Sequence, residues 1–141
     1  MTSPEPQVAA ERELCGLVNG LARQIGEHVR ERAATLGLTA AQATALRELN
    51  GPMTISELAD RMSCEPSNAT FVIDKLENQK LIERRPHPTD RRAKELVLTS
   101  AGAALRERLI TLLTQESPLA GLTQQEQRAL HDLLARAVTE R

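Results

Sequence analysis

Residues 66–78 carry side chains of the kind that read a polyanion. At about 100° per residue, Ala69, Val72, Ile73 and Leu76 fall at i, i+3, i+4 and i+7 and make one apolar stripe. Ser67, Asn68, Thr70, Asp74, Lys75 and Asn78 lie on the other side, and Phe71, the only aromatic residue of the chain, lies among them. Hydroxyls and amides reach base edges or phosphates, and an exposed ring can touch thymine methyls. The competing reading of Phe71 is a ring packed against a neighbouring helix or hairpin. A second cluster follows. Between Lys80 and Lys94 stand six Lys/Arg residues against Glu83 and Asp90, with His87 between them. In a chain of net charge −1, a local patch of this size points to a polyanion partner.

Other chemistries have little to build on. His28, His87 and His131 share no metal-ligand or triad spacing, no glycine-rich loop cradles a phosphate, and the carboxylates stand mostly at capping and surface positions. No catalytic residue, metal site or cofactor is expected. Cys15 and Cys64 fit no Cys-x-x-Cys or Cys/His ligand pattern and read as free thiols of a reducing compartment. The first thirteen residues are polar and acidic, unlike a secretory leader, and no apolar run approaches membrane-spanning length. The expectation is a cytoplasmic protein without membrane contact.

The elements that must position these clusters are mainly helical. Thr39-x-x-Gln42, Thr54-x-x-Glu57 and Thr123-x-x-Glu126 each have the pattern of a capping box. Pro66 stands where a first helical residue should, with Glu65 before it as the cap. The pattern predicts helices over about 8–36, 40–50, 56–62, 66–78, 100–116 and 124–140. Strands are expected near 81–85 and 95–98, where Leu96 and Leu98 alternate with Glu95 and Val97. Residues 86–93 between the strands form a loop rich in turn formers and cations. Helix, tight turn, helix and hairpin make a winged helix-turn-helix. The expected domains are an N-terminal dimerisation helix at 1–36, the DNA-binding domain at 37–99 and C-terminal dimerisation helices at 100–141.

The outer helices carry apolar stripes of their own: Leu14, Val18, Leu21, Ile25 and Val29 on the first, Leu105, Leu109, Leu112 and Leu113 on the fifth, and Leu130, Leu133, Leu134 and Ala137 on the sixth. A winged helix needs little more than residues 40–98 to close a core, so the surplus stripes ask for a partner, and a two-fold homodimer is the commonest solution. The alternative is that they fold back on their own chain.

Several stretches resemble the MarR regulators: Thr54-Ile-Ser-Glu-Leu-Ala-Asp-Arg-Met62, Pro66-Ser-Asn-Ala-Thr70, Asp74-Lys-Leu-Glu77 and Leu81-Ile-Glu-Arg84. The most specific is Asp90-Arg-Arg-Ala-Lys94 followed by Leu96-Val-Leu-Thr99 and Gly102, similar to the family's wing signature of Asp-x-Arg, a strand, and Leu-Thr-x-x-Gly. The likeness spans about residues 14–138. It implies a homodimer on double-stranded DNA, with each recognition helix in a major groove and each wing tip in a flanking minor groove. Carried over by position, the helix contacts fall on Ser67, Asn68, Thr70, Phe71 and Lys75. The wing contacts fall on His87, Asp90, Arg91 and Arg92, with Arg92 in the minor groove and Asp90 orienting a wing arginine or capping the loop. One departure is Lys80, where the family usually has glycine. A left-handed Lys80 costs roughly 1 kcal/mol relative to glycine.

The resemblance also implies a sensed signal, a small aromatic or phenolic effector or an oxidant. Arg12, Cys15, Gly16 and Asn19 are the candidate effector-binding residues, and Arg23, His28 and Arg47 are further charged groups an anionic effector could use. Gly16 and Gly20, one turn apart, either admit a close helix or leave a void for a ligand. Cys15 is placed like the reactive cysteine of the peroxide-sensing branch, but that branch supports its oxidised sulfur with tyrosines and this chain has none. The leading expectation is a dimeric repressor released by a small molecule. The alternatives are an oxidant sensor acting through Cys15 and a winged helix that pairs with proteins, although the latter would carry an apolar or acidic wing.

Overall fold

The three Thr-x-x-Gln/Glu motifs start helices as their spacing predicts. In each, the threonine hydroxyl accepts the backbone N–H three residues on while that residue's side chain accepts the threonine N–H, as at Thr39 and Gln42 (3.1 and 2.9 Å) and at Thr123 and Glu126 (3.1 and 2.8 Å). The computed structural model describes residues 4–139. Its order is α1 (Pro4–Ala34), α2 (Ala40–Glu48), α3 (Ile55–Met62), α4 (Pro66–Asn78), β1 (Ile82–Pro86), β2 (Lys94–Leu98), α5 (Ser100–Thr114) and α6 (Gln124–Thr139). The fold is mainly α, with a two-stranded antiparallel wing. Residues 1–3 and 140–141 of the expected outer segments lie outside the described residues.

Boundaries differ from expectation where turn chemistry overrides periodicity. α1 begins four residues early, and the expected stretch to residue 36 ends instead at Ala34, where Gly37 turns left-handed (φ 71°) and Leu38 N–H bonds back to the Ala33 carbonyl at 3.0 Å. The same wrap-back closes α3 and α4, which end as expected at Met62 and Asn78: Ser63 stands at φ 54° with Cys64 N–H on the Ala59 carbonyl, and Lys80 at φ 61° with Leu81 N–H on the Leu76 carbonyl, both at 3.0 Å. α5 stops at Thr114, short of the expected 116, and a left-handed Glu116 follows. Glu65 holds the N-cap position of α4 but makes no side-chain cap bond, so Pro66 is the start signal there.

The chain forms two compact units. The larger runs over Gly26–Gln115. Leu46, Leu49, Leu58, Ile73, Leu76, Ile82, Leu96 and Leu109 are its fully buried large side chains. Residues 40–98 do not close this core alone, contrary to expectation: Val29 and Ala33 of α1 and Leu109 of α5 are buried with the rest. α5 is held at both ends. Arg106 donates to the Leu46 and Arg47 carbonyls at the end of α2, both at 2.9 Å, while His28 Nε2 and Arg32 Nε reach the Leu113 and Leu112 carbonyls at 2.8 and 3.2 Å. His28 and Arg47, the latter paired with Glu48, therefore have structural partners.

The smaller unit joins the chain up to Ile25 with that from Glu116 onward. None of its described residues is buried. Leu14, Leu17, Leu133 and Val138 are each at least 60% exposed. Gln127 closes the loop before α6 by donating to the Leu119 and Leu122 carbonyls at 3.0 and 3.2 Å.

Candidate nucleic-acid interface

α4 divides its residues as the stripe predicts. Ala69, Val72, Ile73 and Leu76 are buried, while Ser67, Asn68, Phe71 and Lys75 are exposed. Phe71 is 63% exposed, which removes the reading of a packed ring. Lys75 Nζ lies 4.5 Å from the ring centroid, a cation–π contact across one helical turn that spacing allows but that the apolar stripe alone does not reveal. Thr70 is half-buried, and its hydroxyl donates to the Pro66 carbonyl at 2.9 Å, which leaves only its lone pairs for a ligand. Together these side chains present amide, hydroxyl, ammonium and ring edge on the solvent face of one rigid helix.

The wing is an antiparallel pair in the register Ile82↔Leu98 through Pro86↔Lys94. A third, one-residue strand completes it: Met53, just after the α2 turn, exchanges both backbone hydrogen bonds with Leu96, at 3.2 and 2.7 Å. No alternation marks a strand of one residue, so it was not legible in the sequence. The Leu-Thr-x-x-Gly motif is a structural staple at the base of the wing. Thr99 accepts the Gly102 N–H at 3.0 Å and donates to the Lys80 carbonyl at 2.7 Å, and a Cβ on Gly102 would stand 2.0 Å from the Leu81 carbonyl oxygen.

At the wing tip, His87 Nδ1 accepts the Thr89 and Asp90 N–H groups at 3.2 and 3.0 Å, which leaves Nε2 as the ring's outward polar atom. Asp90 Oδ1 accepts the backbone N–H of Arg92 at 3.0 Å. It therefore shapes the loop, and the contact expected with a wing guanidinium is absent among the described residues. Arg91 and Arg92 are exposed.

The basic cluster is smaller than its residue count implies. Arg85 pairs with Glu83 at 3.1 Å, and Arg84 pairs with Asp74 at 2.6 Å and Glu77 at 3.5 Å. Arg91, Arg92, Lys94 and Lys80 are exposed with no ion pair among the described residues, and Arg85 is exposed within its pair. The pairing of Arg84 with α4 is invisible to a charge count along residues 80–94.

The candidate effector residues Arg12, Cys15, Gly16 and Asn19 all lie on one face of α1, at i, i+3, i+4 and i+7, and all are exposed. Cys15 is therefore not a core cysteine of the single chain, whereas Cys64 is half-buried. Nothing lies within 4 Å of a Cβ built on Gly16, so packing within the chain does not require glycine there. Among the described residues, no group of three or more His, Cys, Asp or Glu is placed to hold a metal, and no helix is long and apolar enough to cross a membrane.

Comparison with known proteins matches residues 38–94 to the family model described as the MarR family. The chain is 32% identical over 115 residues to the HTH-type transcriptional repressor MdtR of Bacillus subtilis, covering 72% of this chain and 74% of that one. Among solved structures, a mutant MarR from E. coli complexed with operator DNA is 28% identical with a TM-score of 0.70, over 89% of this chain and 93% of that one. A MarR-family transcriptional regulator from Silicibacter pomeroyi is 26% identical with a TM-score of 0.76, over 88% of this chain and 86% of that one.

Proposed function

The chain belongs to the MarR family of DNA-binding transcriptional regulators, and from that premise we propose that it is a repressor: a homodimer that grips a pseudo-palindromic operator and releases it when a small aromatic or phenolic effector binds. The observation that carries the reading is the division of α4, its apolar face wholly buried and its amide, ammonium and ring exposed, in the same compact unit as a wing tipped by two exposed arginines. In this reading Ser67, Asn68, Thr70, Phe71 and Lys75 face the major groove. Arg91 and Arg92 enter or flank the minor groove, His87 offers Nε2 to a phosphate, and Asp90 shapes the loop that presents them.

Repression is supported by the likeness to a chain named as a repressor. Dimerisation is supported by the exposed apolar side chains of the smaller unit, each of which gains roughly 1.5–3 kcal/mol when fully buried. Residues 1–36 and 100–141 then supply the dimer contacts and 37–99 the DNA contacts, in a cytoplasmic protein that catalyses no reaction. The effector is assigned to the α1 face of Arg12, Cys15, Gly16 and Asn19. Oxidant sensing through Cys15 is the subordinate reading, favoured by the exposed thiol and opposed by the lack of any tyrosine. The test is a salt titration of binding to generic duplex DNA. A steep linear fall of log affinity with log salt supports a DNA regulator, and no measurable binding at low salt supports a protein-pairing winged helix instead.

A further inference from the structure

The geometry points to Arg84 as a positioning residue that locks the recognition helix to the wing, so that the two DNA-reading elements act as one rigid body and sequence discrimination depends on it. This inference rests on the DNA-reading role proposed above.

Arg84 stands on β1 opposite the fully buried Leu96, and its side chain shares the inner face of the strand with buried Ile82. From there the guanidinium reaches two carboxylates on successive turns of α4. Nη2 meets Asp74 Oδ1 at 2.6 Å and Nη1 meets Glu77 Oε1 at 3.5 Å. Nε is buried and has no partner among the described residues. Charge-assisted bonds from one guanidinium to two carboxylates are directional as well as strong, so they fix position.

The covalent link between helix and wing passes through residues 79–81, and its pivot is the left-handed Lys80. The buried stripe of α4 sets its roll from the core side, and the Arg84 pairs tie the exposed edge of the same helix to the strand. Asp74 is one turn beyond Phe71 and adjacent in sequence to Lys75, so fixing Asp74 and Glu77 against β1 fixes the direction in which the ring and ammonium point. Arg84 also has little charge to spare for phosphate, since two carboxylates already face it.

Two variants separate this role from its competitors. One is Arg84→Met, which keeps much of the apolar stem. The other is the double variant Asp74→Asn with Glu77→Gln, which keeps the volume of α4 and leaves Arg84 in place. The probes are a duplex selected from a random pool by the wild-type protein and a scrambled duplex of the same composition, titrated at several salt concentrations with thermal melting alongside. Both variants are expected to lower the ratio of selected to scrambled affinity about tenfold, with the salt slope of Arg84→Met unchanged. The double variant is the sharper arm. It removes negative charge beside the DNA, which on simple electrostatics tightens binding everywhere, yet the clamp requires its discrimination to fall. An unchanged ratio in that variant overturns the proposal, as does a salt slope for Arg84→Met shallower by about one, which would make Arg84 a phosphate contact. If Arg84→Met melts below the assay temperature, the double variant alone decides. Failure of the pool to yield any preferred duplex removes the DNA-reading role itself, a result distinct from failure of the clamp alone.

Discussion

Phe71 was legible from the sequence because four apolar neighbours at helical spacing left it on the opposite face, and its 63% exposure agrees with that geometry. Phe71→Ala and Asn68→Ala should each cost roughly 1–3 kcal/mol of discrimination between operator and random duplex. Melting temperature should hardly move, because neither side chain supports the core. A large loss of stability in Phe71→Ala would contradict the exposed ring. The pairing of Phe71 with Lys75 follows from i, i+4 spacing once both are known to face solvent, whereas the Arg84–Asp74 pair links a strand to a helix and no single periodicity reports it. At Cys15 the expected outcome is negative. Cys15→Ser should leave operator binding intact, and mild peroxide should not release the wild-type protein. Peroxide release abolished by Cys15→Ser would establish oxidant sensing.

Helix starts were readable because capping boxes are local, and the ends of α3 and α4 were readable too, at Met62 and Asn78. α1, α2 and α5 each stop two residues short of the expected end, and in α1 and α2 this is because the apolar pattern runs on into the turn that follows. Ser63 and Lys80 both take the left-handed conformation. Lys80→Gly should therefore stabilise the fold by up to about 1 kcal/mol, as judged by denaturant midpoint at unchanged m-value. A loss of stability would show that the lysine makes a compensating interaction. Gly102→Ala should act in the opposite sense, because its methyl would collide with the Leu81 backbone, which cannot swing aside as a flexible side chain would. The wing makes a separate prediction. Arg92 has its backbone N–H held by Asp90 and its side chain exposed, so Arg92→Ala should weaken operator and random duplex alike, with an extra penalty where the flank is A·T-rich. The log-affinity slope against log salt should become shallower by about one unit for each phosphate that this guanidinium neutralises. An unchanged slope would remove Arg92 from the DNA-binding residues.

For the whole molecule, the larger unit has a complete core and the smaller has none among its described residues, an imbalance that a single chain does not relieve. The surplus of apolar stripes was readable in the sequence. The portion of them already consumed inside the chain was not, since Val29 and Leu109 are buried with the winged domain while Leu14 and Leu133 remain bare. Leu133→Asp should shift sedimentation toward a 15.5 kDa species at micromolar concentration while the wild type sediments as a dimer. A two-fold dimer of such chains sets its recognition helices about 34 Å apart, one turn of duplex. The most direct test of a dimeric operator-binding regulator is hydroxyl-radical footprinting on a duplex selected from a random pool. Two protected half-sites are expected in a near-palindrome, about 10 base pairs apart centre to centre, with minor-groove protection on each outer flank. Protection of one asymmetric half-site, or none at low salt, would contradict that assignment.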